Sequence, residues 1–403
     1  MTAAPSPSRR TSTSRHDADV DPGALLGWLR ERTGEAVALV ERLARAESPS
    51  LVPESTRAPY AILATELERL GFLVRPLRGE RVGDQLYARP ERRRRRLPYQ
   101  LLVGHLDTVW PLGTLATMPV RREGDLLYGP GVADMKGGLA VLVFALRALA
   151  AHGLVPPATP VVLVTTDEEL GSVESLPWLH RLARGAARAF VLEAPLGLTG
   201  RLKTARKGTG WFNVVVRGRA AHAGVDPGQG RSAILELAHV VQRLFALNDP
   251  ESGVTVNVGT IDGGLRPNVV APEASAVVDV RVPTIAAGER LEAAIRGLEP
   301  VTPGVTIEVH GRLSRPPLER TPRNRALWRA ARAAAARLEL PLEEATVGGA
   351  SDGNYTSLHT ATLDGLGAVG QGAHAADERI VVPALPERAA LLALLLLTPP
   401  ASR

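Results

Sequence analysis

Between residues 22 and 47 apolar side chains recur at helical spacing, first Leu25, Leu26, Trp28 and Leu29, then Val37, Leu39, Val40 and Leu43. This periodicity predicts a helical N-terminal segment. A second helix is predicted over 58–70, closed by Gly71. Short strands are expected at 72–76, 85–89 and 101–103. Residues 136–152 are apolar almost all round, with Leu139, Val141, Leu142, Val143, Phe144, Leu146 and Leu149. Such a helix is buried. Gly153 ends it, Pro156 and Pro157 follow, and strands are expected at 161–165 and 189–192. Strand, helix and strand at this spacing make a βαβ unit and imply a parallel sheet.

The pattern changes near Lys207. Strands are predicted at 211–217, 253–261, 274–282 and 306–310, with helices at 232–247 and 287–298. The order βαββαβ is that of a ferredoxin-like unit. It is self-contained, so it reads as an insertion over 208–313. The α/β pattern then resumes, with a helix at 325–338, a turn at 348–354, a strand near 366–369, a turn at 370–377 and a helix at 386–397. The predicted fold is α/β: a mixed, largely parallel sheet with helices on both faces, built from 23–207 and 314–403, plus the insertion. Residues 1–22, rich in Ser, Thr, Ala, Pro and Arg, read as a disordered tail.

The chain has 403 residues, which suits two domains. Net charge is +6, but aromatics are only 4%, too few for platforms on which bases stack. The run from Arg92 to Arg96 lies between two strand-like segments and reads as a solvated hairpin tip. No nucleic-acid partner is expected. With no Cys, any metal must be held by oxygen and imidazole nitrogen. The Arg9-Arg10 pair lacks a following apolar run, and the apolar stretch 389–397 is too short to span a bilayer. The expectation is a soluble, cytoplasmic protein without a membrane partner.

Histidine and carboxylates gather where strands end. His105 and Asp107 are two residues apart, so both point to one face at a strand end. A carboxylate beside an imidazole is how proteins orient a metal-ligating histidine. Asp134 is expected to open the helix that follows, where free N–H groups favour a carboxylate. Glu168 and Glu169 follow a strand; one suits a metal while the other acts as general base, although Asp167-Glu168-Glu169 also suits the first turn of a helix. Glu193 ends the next strand, and His374 sits in a Gly-rich turn. In open α/β sheets functional groups collect at the carboxyl ends of strands. His105, Asp134, Glu169, Glu193 and His374 are five N/O donors with one carboxylate able to bridge, which suits two divalent ions about 3.5 Å apart. Zinc fits best, with cobalt or manganese as substitutes.

Six motifs then carry a resemblance. They are Gly104-His105-Leu106-Asp107-Thr108-Val109, Gly129 to Gly138, Thr166 to Ser172, Glu193-Ala194-Pro195, Gly218 to Gly224 and Gly372-Ala373-His374. In this order they resemble the di-zinc exopeptidases and deacylases that include glutamate carboxypeptidases, acetylornithine deacetylases, succinyl-diaminopimelate desuccinylases and aminoacylases. The resemblance implies that His105, Asp134 and Glu193 hold one zinc, and that Asp134, Glu169 and His374 hold the other. It implies a cis peptide at Asp134–Met135, Asp107 as the orienter of His105, and Glu168 as the general base. It makes the insertion a lid and dimerisation domain, so that a homodimer is expected. His222 then reaches across the dimer to stabilise an oxyanion. Asn268 and Arg281 are implied as substrate-binding residues, and Arg315 is a further candidate.

Among these enzymes the pattern is most similar to the glutamate carboxypeptidases. That likeness implies release of a C-terminal amino acid, glutamate included, from a small peptide or N-acyl amino acid. Arg201, Lys203, Arg206, Lys207 and Arg315 are candidates for a second carboxylate, although the segment after Glu193 departs from the family in length and composition. A second reading is an N-acyl amino acid deacylase of aminoacylase or acetylornithine-deacetylase type. A third, a non-catalytic ligand-binding homologue, is opposed by the intact base and ligand set.

Overall fold

A computed structural model describes residues 20–92 and 97–400. Apart from residues 20–22, the tail predicted over 1–22 lies outside the described residues, as do 93–96 of the arginine run. The N-terminal helical pattern is two helices, α1 (Pro22–Glu31) and α2 (Thr33–Arg45), broken at Arg32. Next come α3 (Arg57–Arg69), β1 (Phe72–Leu77), β2 (Gln85–Pro90), β3 (Tyr99–His105), β4 (Arg121–Glu123) and β5 (Leu126–Tyr128). They are followed by α4 (Gly137–Ala151), β6 (Thr159–Thr165), α5 (Leu176–Gly185), β7 (Arg188–Val191) and β8 (Leu202–Arg206). A further unit contains β9 (Gly208–Arg217), α6 (Ala233–Phe245), β10 (Thr255–Gly263), β11 (Glu273–Val282), α7 (Ile285–Arg296) and β12 (Thr306–Arg315). The chain ends with α8 (Pro322–Arg337), β13 (Glu344–Val347), α9 (Asp352–Thr356), β14 (Ala361–Leu363), β15 (Gly370–Gln371), β16 (Arg379–Val381) and α10 (Ala384–Leu397).

The main sheet has the order β1-β2-β6-β3-β7-β14. Strands β6, β3, β7 and β14 are parallel neighbours, and β2 runs antiparallel to both β1 and β6. Side chains alternate across it, as a strand requires. Leu102, Val162, Val164 and Phe190 enter one core with α4 and α10, while Leu101, Val103, Val161 and Leu163 face α5 and Tyr355 on the other side. Helices therefore cover both faces.

Two expectations need correction. The segments around the arginine run are not a hairpin, because β6 lies between β2 and β3. The strand expected near 366–369 is instead β14, which pairs with β7 over Ala361–Leu363, and 366–369 runs as irregular backbone. Among the described residues no helix is long and apolar enough to cross a membrane.

The second sheet is fully antiparallel, in the order β10-β11-β9-β12. Its alternate residues Phe212, Val214, Val216, Val278 and Val280 form a separate core with Leu237, Val240 and Leu244 of α6 and Leu291 and Ile295 of α7. Thr209 and Trp211 of β9 point to the opposite face, and both line a cleft.

Candidate active site

The carboxyl ends of β6, β3 and β7, adjacent in the main sheet, deliver Glu168 and Glu169, His105 and Glu193 to one place. Asp134 arrives from the turn before α4. It does not open that helix as expected. Asp134 (φ −121°, ψ 93°) and Met135 are non-helical, their peptide is cis, and α4 begins at Gly137. The turn is fixed from behind by the buried Glu378. Its carboxylate accepts N–H bonds from Gly131 (2.9 Å), Ala133 (2.8 Å) and Asp134 (3.0 Å), and from the Trp110 indole (2.9 Å). Gly138 has a matching reason: a Cβ there would stand 1.9 Å from the Leu192 carbonyl oxygen, so only glycine lets α4 approach the strand end that carries Glu193.

Two triads result, and they share Asp134. Nε2 of His105 lies 3.1 Å from Asp134 Oδ1 and 3.5 Å from Glu193 Oε1. Nε2 of His374 lies 3.4 Å from Asp134 Oδ2 and 3.3 Å from Glu169 Oε1. In each triad the three donor atoms lie within 4.8 Å of one another. One imidazole nitrogen and two carboxylates per triad, with a carboxylate whose two oxygens face different histidines, fit two divalent ions.

Asp107 supports this arrangement from below. Nδ1 of His105 is 3.0 Å from its carbonyl and 3.4 Å from Oδ1. The same carboxylate accepts from Ser50 Oγ (2.7 Å) and from the backbone N–H of Glu168 and Glu169. It thereby ties the histidine to the dicarboxylate turn.

The electrostatics are those of a cation site. Burial alone would lower the His105 imidazolium pKa, but Asp107, Asp134 and Glu193 outweigh it and hold it well above the ordinary value. Burial likewise works to raise Asp134, yet hydrogen bonds from both histidines take it far below the usual carboxylate range. Asp134 and Glu169 push His374 up to about 10. Burial pushes Glu168 up to about 8 against the pull of Arg315. Shifts of this kind concentrate at functional sites.

The triads open onto a cleft of about 950 Å³ between the two sheets, lined by Glu168, Glu169, His374, Trp211, Arg281, Arg312 and Arg315 among others. Of the residues expected to bind substrate, Arg281 lines this cleft, paired with Asp279. Arg315 is placed otherwise than expected. Its guanidinium donates to the Glu168 carboxylate and carbonyl rather than standing free for a substrate. Arg206 is also committed, forming a bidentate pair with Asp364 (2.8 and 3.0 Å) and lying 3.6 Å from Glu193. His222 and Asn268 are not brought to the triads. Both are exposed in facing loops, where Ala223 N donates to the Asn268 carbonyl and His222 Nδ1 accepts from Gly224 and Val225 N–H.

Sequence reasoning missed Ser50, Glu378, Ser172 and Asp352 as parts of the site. Ser172 carries a nearby signal as the last residue of the Thr166–Ser172 motif, and Asp352 lies in the turn expected at 348–354, within Gly348-Gly349-Ala350-Ser351-Asp352, a run that is similar to the glutamate carboxypeptidases. The partners of Ser50, Glu378 and Asp352 lie dozens to hundreds of positions away, so their roles in the site were not readable from neighbours in sequence.

Residues 101–398 match the model of the peptidase family M20/M25/M40. The chain is 31% identical over 369 residues to carboxypeptidase G2 of Pseudomonas sp. (strain RS-16), covering 89% of this chain and 88% of the relative. It is 29% identical over 387 residues to succinyl-diaminopimelate desuccinylase of Gluconacetobacter diazotrophicus, covering 89% and 95%. Among solved structures, aminopeptidase PepT from Bacillus cereus superposes with a TM-score of 0.76 at 22% identity, over 91% of this chain and 98% of that one.

Proposed function

The chain belongs to the peptidase family M20/M25/M40, and from that premise we propose that it is a di-zinc hydrolase releasing a C-terminal amino acid from a peptide or N-acyl amino acid. Membership makes it a hydrolase of carboxypeptidase, desuccinylase or peptidase type. The observation that carries the finer reading is the pair of triads sharing Asp134, with Glu168 beside them on the cleft.

His105, Asp134 and Glu193 would hold one ion, and Asp134, Glu169 and His374 the other. Such ions supply the charge that polarises an amide carbonyl and acidifies water. Glu168 takes the proton of the attacking water and returns it to the leaving amine. Asp107 keeps the His105 Nδ1–H engaged, which leaves Nε2 as the donor atom. Arg281 meets the free carboxylate of the substrate, for which a guanidinium fork is the best match. Arg312 on the same cleft wall favours an acidic side chain such as glutamate.

His222 acts in a second copy of the chain, through a dimer formed by the inserted sheet. Its exposure, and its place outside the cleft lining of its own chain, support this. With Nδ1 accepting from two N–H groups, Nε2 carries the proton and is a donor for a developing oxyanion.

The likeness to a desuccinylase favours a second reading, an N-acyl amino acid deacylase using the same machinery. A zinc-loaded preparation assayed on peptides ending in Glu, Asp or neutral residues, and on N-acyl amino acids, separates the two. Turnover of C-terminal glutamyl peptides is expected. Turnover confined to N-acyl amino acids would establish the second reading. No turnover with two metals bound would leave a binding protein.

A further inference from the structure

We propose that Ser172 and Asp352 are positioning residues for Glu168: they seat Arg315, from the inserted sheet, on the general-base carboxylate and so set its direction. The inference rests on the assignment of Glu168 as the base.

The contacts form one connected set. Arg315 follows an irregularity in the register of β12 against β9, between Leu313 and Arg315. Its guanidinium donates to both the side chain and the carbonyl of Glu168, and to Ser172 Oγ at 3.2 Å. Ser172 Oγ in turn donates to Asp352 Oδ1. The other oxygen of Asp352 accepts from Thr165 Oγ1 at 2.9 Å. Glu168, Ser172, Arg315 and Asp352 are all buried. Away from water such a set is strengthened, and each link constrains the next.

Local structure explains why these two residues can do this. Ser172 has φ +59°, a left-handed conformation, held by its N–H bond to the Asp167 carbonyl (2.7 Å). That conformation turns the chain back after the Glu168-Glu169 turn and leaves the hydroxyl between Arg315 and Asp352. Asp352 is the first residue of α9, whose cap is fixed by Ser351 and Asn354 on each other's backbone. The cap thus fixes the backbone that carries the Asp352 carboxylate.

A glutamate that must collect a proton and deliver it needs one direction. A free side chain has several rotamers, at a cost in entropy when one is selected. Arg315, holding carboxylate and carbonyl together, selects that rotamer beforehand, and Ser172 with Asp352 selects the rotamer of Arg315. The aim of the base is thus set from the inserted sheet.

The decisive variant is Ser172→Gly. Glycine adopts φ +59° without strain, so only the hydroxyl is lost and the fold is kept. With zinc-loaded full-length protein and a turned-over peptide, kcat should fall on the order of 10- to 100-fold with KM nearly unchanged, as for a misplaced reacting group. Asp352→Asn should behave alike, and the double variant should be no worse than the poorer single one, because the residues act as one unit. Metal content should stay at the wild-type value for Ser172→Gly, and the melting temperature should fall only by the few degrees that one unpaired buried carboxylate oxygen costs. Crystal structures of metal-loaded protein provide a readout independent of turnover: Arg315 should sit on Glu168 in the wild type and leave it in Ser172→Gly. Wild-type kcat in Ser172→Gly, a rise in KM with kcat intact, or a wild-type Arg315 away from Glu168 would each overturn the proposal. Failure of the wild type to hydrolyse any substrate would instead overturn the functional reading, and the crystallographic comparison would still decide the seat of Arg315.

Discussion

Asp134 offers Oδ1 to one histidine and Oδ2 to the other, and this division depends on a backbone turn held by Glu378. Glu168, the proposed base, is by contrast a neighbour of the donor set. Glu168→Gln should lower turnover on the order of 10²–10⁴-fold, the range for loss of a general base, while metal analysis still finds two ions per chain. Retained activity would remove Glu168 from that role. Asp107→Ala should act on affinity instead. It frees His105 Nδ1 and loosens the Glu168-Glu169 turn, so zinc affinity by calorimetry should fall about 10- to 100-fold. His105, Asp134, Glu168, Glu169, Glu193 and His374 were readable because short motifs at strand ends carry them. Glu378 was not, because its meaning lies in three N–H groups some 244–247 positions earlier. Nor was the engagement of Arg315 with Glu168, which requires knowing how the two sheets face each other.

At the scale of elements, apolar periodicity told where helices and strands form but not who pairs with whom. The arginine run joins strands that are consecutive in sequence, yet β6 enters between them, since a βαβ crossover returns its strand beside β3. The short β14 escaped notice because only three residues pair, between a polar turn and a glycine. Helix α10 shows what packing adds. Its Arg388 is buried and donates to the carbonyls of Gly365, Gly367 (3.1 Å) and Gly200 (3.1 Å). Gly367 N bonds the Glu193 carbonyl (2.9 Å), so this helix steadies a donor residue from behind. Arg388→Leu would strand three buried carbonyls and should cost on the order of 3 kcal/mol or more in urea unfolding. In the second sheet's layer, Glu236 of α6 accepts from Val301 N (2.9 Å) and Thr302 N (2.7 Å). Burial works to raise its pKa, but these bonds prevail and lower it. A depressed carboxylate stabilises the fold fully above its unfolded pKa, and the contribution fades as pH falls through the folded value. Glu236→Gln should therefore destabilise by about 1.5–3 kcal/mol at pH 7, and the gap to wild type should narrow below about pH 4. A gap independent of pH would refute the ionic character of the contact.

At the scale of the whole molecule the insertion is tied to the rest through the cleft, where Arg281, Arg312 and Arg315 face the triads. Its topology was readable from the βαββαβ order, because each element carries its own periodicity. What it presents to a partner copy is a different matter, and there His222 gives the sharpest test. His222→Ala and Glu168→Gln should each be nearly inactive alone. If His222 serves the site of a second chain, a dimer of one variant with the other contains one complete site, with Glu168 from the first chain and His222 from its partner. Its second site carries both lesions. Random pairing after co-expression makes about half of the dimers mixed, so about a quarter of all sites are complete. Mixing should then restore about a quarter of wild-type kcat per chain, while KM stays at the wild-type value because the restored sites are unaltered. If His222 acted within its own chain, every site in the mixture would lack one of the two groups. Activity would then remain at the level of the separate variants, and the dimeric site would be excluded.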